Sequence, residues 1–509
     1  MPSNYTGHTV FVAGTGSIQS YVFATNRLKD NAGASELARQ AMSHWKDHPG
    51  NGKLIFAGGG NAAVLFPPGD GWKDLVYLWS REWLKKAPGL RLVTAAAEVQ
   101  DGETLGKTIR RAQKELRARE GSAPFGALPT ALPVVRTCSA SGAPASVLKR
   151  NEDNDVDSLS TTVCCKRKAV RDANKRLQDL YRPAGDYEFP LEFDDLRTVE
   201  GESQIAIVHI DGNGIGKLFI AELEKTLEDD ELIASYKALS DKVSTLTQST
   251  FRRLVEYLVS ILPALENERI IQAPNKNGSI HLPLRPLVEA GDDLTFVCHG
   301  RLGLHLAVKY LEFFQENATE ALAGYGKDTW TACAGVMIQP QKFPFARGYR
   351  HAEALTGNAK KARRDFEEGS WVDFQAIYEG AQSSLQDTRR MLYGSREGEL
   401  LHRPYVLGRS PFAGKSWDDF LKSWRKVTGP KAPRSRAKEL RSLARQGDDA
   451  VRAAEPLWEL AGAEIADLRG LMRHQRGDYW DALEMMDIHW EPKPAAEPQE
   501  GGSNVQTAN

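Results

Sequence analysis

Asp211 follows the apolar stretch Ile205 to Ile210 directly, in the run IDGNGIGK, while Asp292 and Asp293 occupy the tight turn of LVEAGDDLTFV. Three carboxylates brought to one point repel one another, and divalent cations that favour hard oxygen ligands, magnesium or manganese, relieve the repulsion. Paired ions about 3.5–4 Å apart bridge a nucleotide's phosphates, activate an attacking hydroxyl and stabilise a leaving pyrophosphate. These residue types therefore imply nucleotidyl transfer, with Asp211, Asp292 and Asp293 as catalytic groups and, with the Gly212 backbone, as metal ligands. Gly212, Gly214, Gly216 and Gly291 let backbone approach phosphates closely, so Gly212, Asn213, Gly214 and Gly291 are expected nucleotide contacts. Lys360 and Lys361, in HAEALTGNAKKARRD, lie on an expected helix from which an ammonium reaches a triphosphate as a mobile point charge. Each motif also has a plainer reading. Asp-Gly-Asn and Gly-Asp-Asp are good turn sequences in themselves, and a pair of lysines is an ordinary solvated helix face.

What decides between these readings is whether the chain brings the motifs together. The pattern from residue 201 to 380 predicts strand Ile205–Ile210, helix Leu239–Leu262, strands Leu284–Val288 and Leu294–Cys298, helix Leu302–Phe314 and strand Thr331–Ile338. This β-α-β-β-α-β order fits a ferredoxin-like α+β unit, with its first and third strands adjacent and antiparallel in mid-sheet and its helices over one face. The end of the first strand then lies beside the start of the third, and the three carboxylates converge at one edge.

A first block, 1 to 135, repeats the hairpin in outline. Strand Thr9–Val12 and helix Ser35–Trp45 precede KLIFAGGGNAAVLF, in which Gly60 and Asn61 take the places of Asp292 and Asp293. Without the acids this block cannot hold metals, but Gly59, Gly60 and Asn61 can line the other wall of a nucleotide cleft, as interdomain surfaces often do. Residues 136 to 200 hold Cys138, Cys164 and Cys165, an acidic stretch NEDNDVD expected as an exposed loop, and the basic helical run CCKRKAVRDANKRLQDLY. Residues 381 to 490 read as a small helical domain, with helices Phe420–Val427, Ala437–Leu443, Leu457–Leu471 and Asp478–Asp487. The stretch 491 to 509 has too little apolar content to fold.

Length favours several domains, and 66 Lys+Arg against 67 Asp+Glu in 509 residues leave no global field to drive binding to nucleic acid or membrane. The N-terminus lacks the pattern of a signal peptide, and no apolar run reaches the roughly 18 residues of a spanning helix. A cytoplasmic protein without membrane association is expected. Five cysteines in so long a chain argue against a disulfide framework.

With these residues in view, the sequence resembles the large subunit of type III CRISPR effector complexes, a family with tandem palm domains that makes cyclic oligoadenylate from ATP. GSIQSYVFATNRLKDNAGAS is similar to the family's entry to the first palm, and AGDD to its Gly-Gly-Asp-Asp signature, with Ala290 at the first glycine. CAGVMIQPQKFPFARGYRHAEALTGNAKKARR resembles the closing strand, Pro turn and Ala-Lys helix, which implies that Lys360 binds nucleotide. WVDFQAIYEG and LLHRPYVLG resemble segments leading into the C-terminal helical domain. Asn213 stands where the family has the second acid of Asp-x-Asp. The chain starts directly at the first palm and has no His-Asp dipeptide, so no cleavage of single-stranded DNA is expected. The family's two Cys-x-x-Cys pairs are reduced to Cys138 with Ser141 and the adjacent Cys164 and Cys165, which implies a metal-free remnant.

The resemblance thus implies a degenerate first palm, a catalytic second palm, ATP as substrate, Mg2+ or Mn2+ as cofactor, and a cyclic oligonucleotide signal in antiviral defence. Guide RNA and other effector subunits are the implied partners. Two alternatives stand beside it. One is a diguanylate-cyclase-like enzyme on the same palm. The other is a catalytically silent scaffold subunit of an RNA-guided complex, its RNA contacts drawn from Lys422, Arg425, Lys426, Lys431, Arg434, Arg436, Lys438, Arg441 and Arg445.

Overall fold

The computed structural model describes residues 3–122, 134–150, 154–181, 187–273, 280–326, 329–366, 369–378, 384–395, 398–408, 410, 412, 414–460 and 477–492. Its first unit runs β1 (Thr9–Thr15), α1 (Ile18–Val22), α2 (Leu28–Asp47), β2 (Lys53–Gly58), β3 (Asn61–Phe66), α3 (Gly71–Lys86), β4 (Leu92–Glu98) and α4 (Leu105–Ser122). The four strands form one sheet in the order β2-β3-β1-β4. Helix α2 begins at Leu28, well before the expected Ser35. Its early polar and small residues Asp30, Asn31 and Gly33 are buried, because Gly33 lies against the Lys166 carbonyl, 1.8 Å from where a Cβ would stand. Contact that close offsets the poor helix propensity of the segment.

The connecting segment contains the hairpin β5 (Val147–Arg150) and β6 (Val156–Leu159), then α5 (Thr161–Tyr181), which packs along α2. Residues 151–153 of the expected acidic loop lie outside the described residues, and Val156 and Asp157 belong to β6 rather than to a loop. The short strands β7 (Tyr187–Glu188) and β9 (Ile280–His281) pair in parallel at the margin.

The second unit runs β8 (Gln204–Gly212), α6 (Ile215–Leu223), α7 (Asp229–Asn267), β10 (Leu284–Ala290), β11 (Asp293–His299), α8 (Gly303–Ala321), β12 (Ala332–Pro340), α9 (Phe345–Asp365) and β13 (Trp371–Ala376). Its sheet has the order β10-β11-β8-β12-β13 and then a further edge strand, β16 (Tyr405–Val406), with β8 antiparallel to both β11 and β12. Strand β8 is apolar and buried over Ile205–Val208 because it is covered on both faces. Ala206, Val208 and Ile210 pack under α7 and α8, as expected for helices on one face. Ile205 and Ile207 meet Phe345 and Tyr349 of α9 on the other face, which corrects the expectation of a single covered face.

The two units interlock. Leu232, Ile233 and Tyr236, at the start of α7, complete the core between the first sheet and α4. Val22, Phe23 and Leu28 of α1–α2 pack against α9, with the Phe23 ring tilted against Phe345 (5.2 Å) and Tyr349 (4.4 Å).

The C-terminal segment holds α10 (Leu385–Tyr393), β14 (Gly394–Ser395), β15 (Gly398–Glu399), β16 (Tyr405–Val406), α11 (Trp417–Thr428), α12 (Arg434–Gln446), α13 (Asp448–Leu460) and α14 (Gly477–Met485). It is therefore not helical alone: β16 joins the edge of the second sheet beside β13. Ser416 caps α11, accepting from the Asp419 N–H at 3.1 Å. Buried Arg403 binds this segment together, with Glu484 at 2.5 Å, Asp481 at 3.5 Å and the Phe374 ring at 4.5 Å. Residues 461–476, in the expected helix Leu457–Leu471, and 493–509, in the expected tail, lie outside the described residues. Glu491 is not part of a loose tail: its carboxylate lies between His305 (2.9 Å) and His489 (3.2 Å).

Candidate active site

Strand β8 delivers Asp211 to the sheet edge, and the β10–β11 hairpin, with Gly291 at φ +69°, delivers Asp292 and Asp293 beside it. Leu294 pairs with Ile210, so Asp293 stands next to Asp211 across the ladder. Gly212 has a steric reason to be glycine: a Cβ there would sit 2.9 Å from Asp292 Oδ2 and the same distance from Ile215 Cγ1. From α9, Lys360 places its ammonium on the Asp211 carboxylate, each side chain 29% exposed. Asp211, Gly212, Gly291, Asp292, Asp293 and Lys360 thus come together at one edge, although 360 is remote from 211 in sequence.

The electrostatics are those of crowded acids. Burial, and then the Asp211 charge, push Asp292 up to about 6. Asp293 is held well above the carboxylate range by burial and then by Asp211 and Asp292. Beneath Asp211, buried His209 shares a hydrogen bond with Thr295 Oγ1 at 3.0 Å, and burial lowers it to about 4, so the imidazole is neutral. Among the described residues no three acid, His or Cys side chains form a ready-made metal cage. At this edge the reason is visible, since Lys360 already engages Asp211. The donor set fits a hard cation all the same: three clustered carboxylates, two of them raised by burial and then by their neighbours' charge, with the Lys360 ammonium in reach.

Other expected contacts fall differently. The Asn213 side chain is buried and donates to Thr331 Oγ1 (2.9 Å) and the Gly369 carbonyl (3.4 Å), while Cys333 donates to its Oδ1. It braces β12 against the loop before β13. Gly214, at φ +84°, serves as the turn into α6. Lys361 is exposed on a different side of α9 from Lys360. Two side chains not singled out from the sequence also belong to the site. They are His209, one strand alternation below Asp211, and Glu353, on α9 near enough for its charge to act on Asp293.

In the first unit the register identifies the counterpart of every site residue. Ala13 pairs with Ala62 as Ile210 pairs with Leu294, which sets Gly14 at the place of Asp211 and Asn61 at that of Asp293. Gly60 then stands for Asp292. Helix α4 begins as far after Val93 (93 to 105) as α9 does after Cys333 (333 to 345), so Glu120 stands for Lys360. A Cβ on Gly14 would indeed meet Asn61 Oδ1 at 2.6 Å and Glu120 Oε1 at 2.9 Å. The first unit has exchanged the acids for neutral groups and the lysine for a glutamate.

The two hairpins meet tip to tip, a Cβ on Gly59 lying 3.6 Å from the Gly291 nitrogen. Beside them a cavity of about 160 Å3 opens between the units, bordered by Gly58–Gly60, Ala290, Gly291, Ser35, Ser43, Ser244 and Gln248. Arg176 of α5 braces its wall, bonding Glu36 at 3.0 Å and Glu289 at 2.7 Å. Cys138 and Cys164 share a small apolar cluster, whereas Cys165 points to the Lys85 carbonyl of α3.

Residues 204–366 match the family model for the Cas10/Cmr2 second palm domain. The matched stretch runs from β8 to the end of α9. No curated protein matches. Solved structures similar to the chain include a Csm1–Csm4 cassette in complex with one ATP (14% identity, TM-score 0.47, 96% of this chain and 70% of that one). Csm1 in T. onnurineus is 13% identical, with TM-score 0.47 and coverage of 94% and 69%. A Csm1–Csm4 cassette in complex with cA4 is 12% identical, with TM-score 0.44 and coverage of 94% and 69%. Within the matched residues lie all three site aspartates and Lys360. No helix among the described residues is long and apolar enough to cross a membrane.

Proposed function

We propose that this chain is a metal-dependent nucleotidyltransferase that joins ATP into cyclic oligoadenylate with release of pyrophosphate, as a signal in antiviral defence. The observation that carries this reading is the convergence of Asp211, Asp292, Asp293 and Lys360 in the palm, opposite a first unit from which all four have been replaced. Magnesium or manganese, held by the three aspartates and the Gly212 carbonyl, would supply Lewis acidity at the phosphates. Lys360 leaves Asp211 for the triphosphate and neutralises charge on the departing pyrophosphate. Gly212 and Gly291 keep the edge bare enough for phosphate to approach backbone. The cavity between the units takes the base, where Ser35, Ser244 and Gln248 offer donors and acceptors to a purine edge.

In this reading the first unit contributes Gly59, Gly60 and Asn61 as a wall, and the protein acts in the cytoplasm with ATP, guide RNA and other effector subunits as partners. The scaffold alternative gains little from the basic segment. Lys422 pairs with Asp419, Arg436 with Glu439, and Arg434 and Lys438 with Asp487, so much of its charge is spent inside the chain. The deciding experiment incubates the protein with each nucleoside triphosphate and magnesium or manganese, with and without RNA, and identifies products by mass spectrometry. Cyclic oligoadenylate from ATP is expected. A cyclic dinucleotide from GTP would favour the diguanylate-cyclase-like alternative, and no pyrophosphate release under any condition would favour the scaffold.

A further inference from the structure

Helix α9 presents Glu353, Gly357 and Lys360 on one face, at spacings of four and three residues. Lys360 is fixed at one end of that face by its contact with Asp211, and Glu353, at the other, bears on Asp293 and Tyr349. At 1.5 Å of rise per residue the two groups are roughly 10 Å apart along the axis, with the aspartates alongside them. Between them Gly357 is exposed, and no atom lies within 4 Å of where its Cβ would be. A glycine inside a helix is less favourable than alanine, and here it leaves the surface between lysine and glutamate clear.

The first unit supplies an internal comparison. In the same register Gln113 stands for Glu353, Arg117 for Gly357 and Glu120 for Lys360. Gln113 donates to the Tyr236 hydroxyl at 3.2 Å, serving the packing between units. Next to these positions, Ala112 and Ala352 are both fully buried. All three positions of this face have changed together with the aspartates.

We propose that Glu353 is a catalytic residue that accepts the proton of the attacking ribose hydroxyl. The assignment rests on the nucleotidyl-transfer reading and adds to it. In phosphoryl and nucleotidyl transfer the attacking and leaving oxygens are roughly in line on opposite sides of the phosphorus. Lys360 marks the side from which pyrophosphate leaves, so the hydroxyl enters from the Glu353 side, across the gap at Gly357. In the step, the hydroxyl oxygen bonds to the α-phosphorus as its proton passes to the Glu353 carboxylate. The bond from that phosphorus to the bridging oxygen breaks, and its electron pair leaves on pyrophosphate beside Lys360.

The test compares wild type with Glu353→Gln, which reproduces the Gln113 of the first unit, and with Glu353→Asp. Turnover of ATP with Mg2+, Mg-ATP affinity and melting temperature are measured for each. Loss of a general base typically costs about 10²–10⁴-fold in rate, so kcat of Glu353→Gln should fall by that order, with ATP affinity and melting temperature close to wild type. Glu353→Asp should recover part of the rate. An active wild type with an equally active Glu353→Gln overturns this assignment alone. So does a Glu353→Gln variant whose ATP affinity falls as far as its turnover, since that marks a binding contact. A wild type that releases no pyrophosphate from any nucleotide overturns instead the reading beneath it.

Discussion

Replacing Asp292 by asparagine should separate stability from activity, and the sign of the stability change depends on pH. In the folded chain burial and the Asp211 charge raise this carboxylate to about 6, against 3.8 for an unperturbed aspartate. Because the folded value is the higher one, its contribution to stability is complete below about pH 4 and is lost as pH rises through 6. At pH 8 the ionised side chain therefore opposes folding. A hundredfold change in proton affinity corresponds to about 3 kcal/mol, and water reaching this partly exposed side chain reduces that to about 1–2 kcal/mol. For a unit of this size each kcal/mol moves the melting temperature by about 2–4 °C. With a chelator present, Asp292→Asn should thus melt several degrees above wild type at pH 8 and close to it at pH 4.5. Scanning calorimetry at both pH values, beside a pyrophosphate-release assay at pH 8, reads both effects. Added Mg2+ should raise the melting temperature of wild type more than that of the variant, and turnover should fall by at least about tenfold, since even outer-shell losses at metal sites cost that much. A variant no more stable than wild type at pH 8 would refute the crowding argument. Full turnover would refute the role of Asp292 in the site.

Gly59→Arg should reduce turnover by up to about a hundredfold, because the added side chain meets the Gly291 hairpin from a backbone at φ +61°; unchanged activity and ATP affinity would show that the first unit does not line the cleft. Elemental analysis should find no stoichiometric zinc at Cys138, Cys164 and Cys165, and zinc whose chelation unfolds the protein would refute the remnant reading. Arg403→Met should cost about 3–5 kcal/mol in chemical denaturation, since Asp481 and Glu484 would keep their burial and lose their cation; a change below 1 kcal/mol would mean that water replaces it.

The acidic edge was legible in the sequence for a local reason. An apolar run ending in aspartate and a Gly-Asp-Asp turn are each short-range signals, and the β-α-β-β-α-β order is enough to lay one beside the other. Glu353 carried no such signal: a single glutamate in a helical stretch looks like any solvated residue until the helix is docked. Asn213 shows a different side of the problem. It has the type and position of a ligand, but its partners Thr331 and Gly369 lie far along the chain. The early start of α2 was hidden because Asp30, Asn31 and Gly33 are poor helix formers, kept helical by contact with α5. The second covered face of the palm sheet comes from α9, whose Phe345 and Tyr349 meet Ile205 and Ile207 and are backed by distant Phe23.

That exchange of helix ends, α1–α2 lying over α9 while the start of α7 lies over α4, makes the two palms a poor choice of separate fragments. A gene divided near residue 200 would yield an amino-terminal piece whose α4 face lacks Leu232, Ile233 and Tyr236, and a carboxy-terminal piece whose α9 lacks Phe23. Each would expose apolar surface fitted to the other. Co-expressed, the halves should find one another by complementation, much as the subunits of an intertwined dimer do. The linker between them then matters less as a tether than as the means of delivering both halves in equal number.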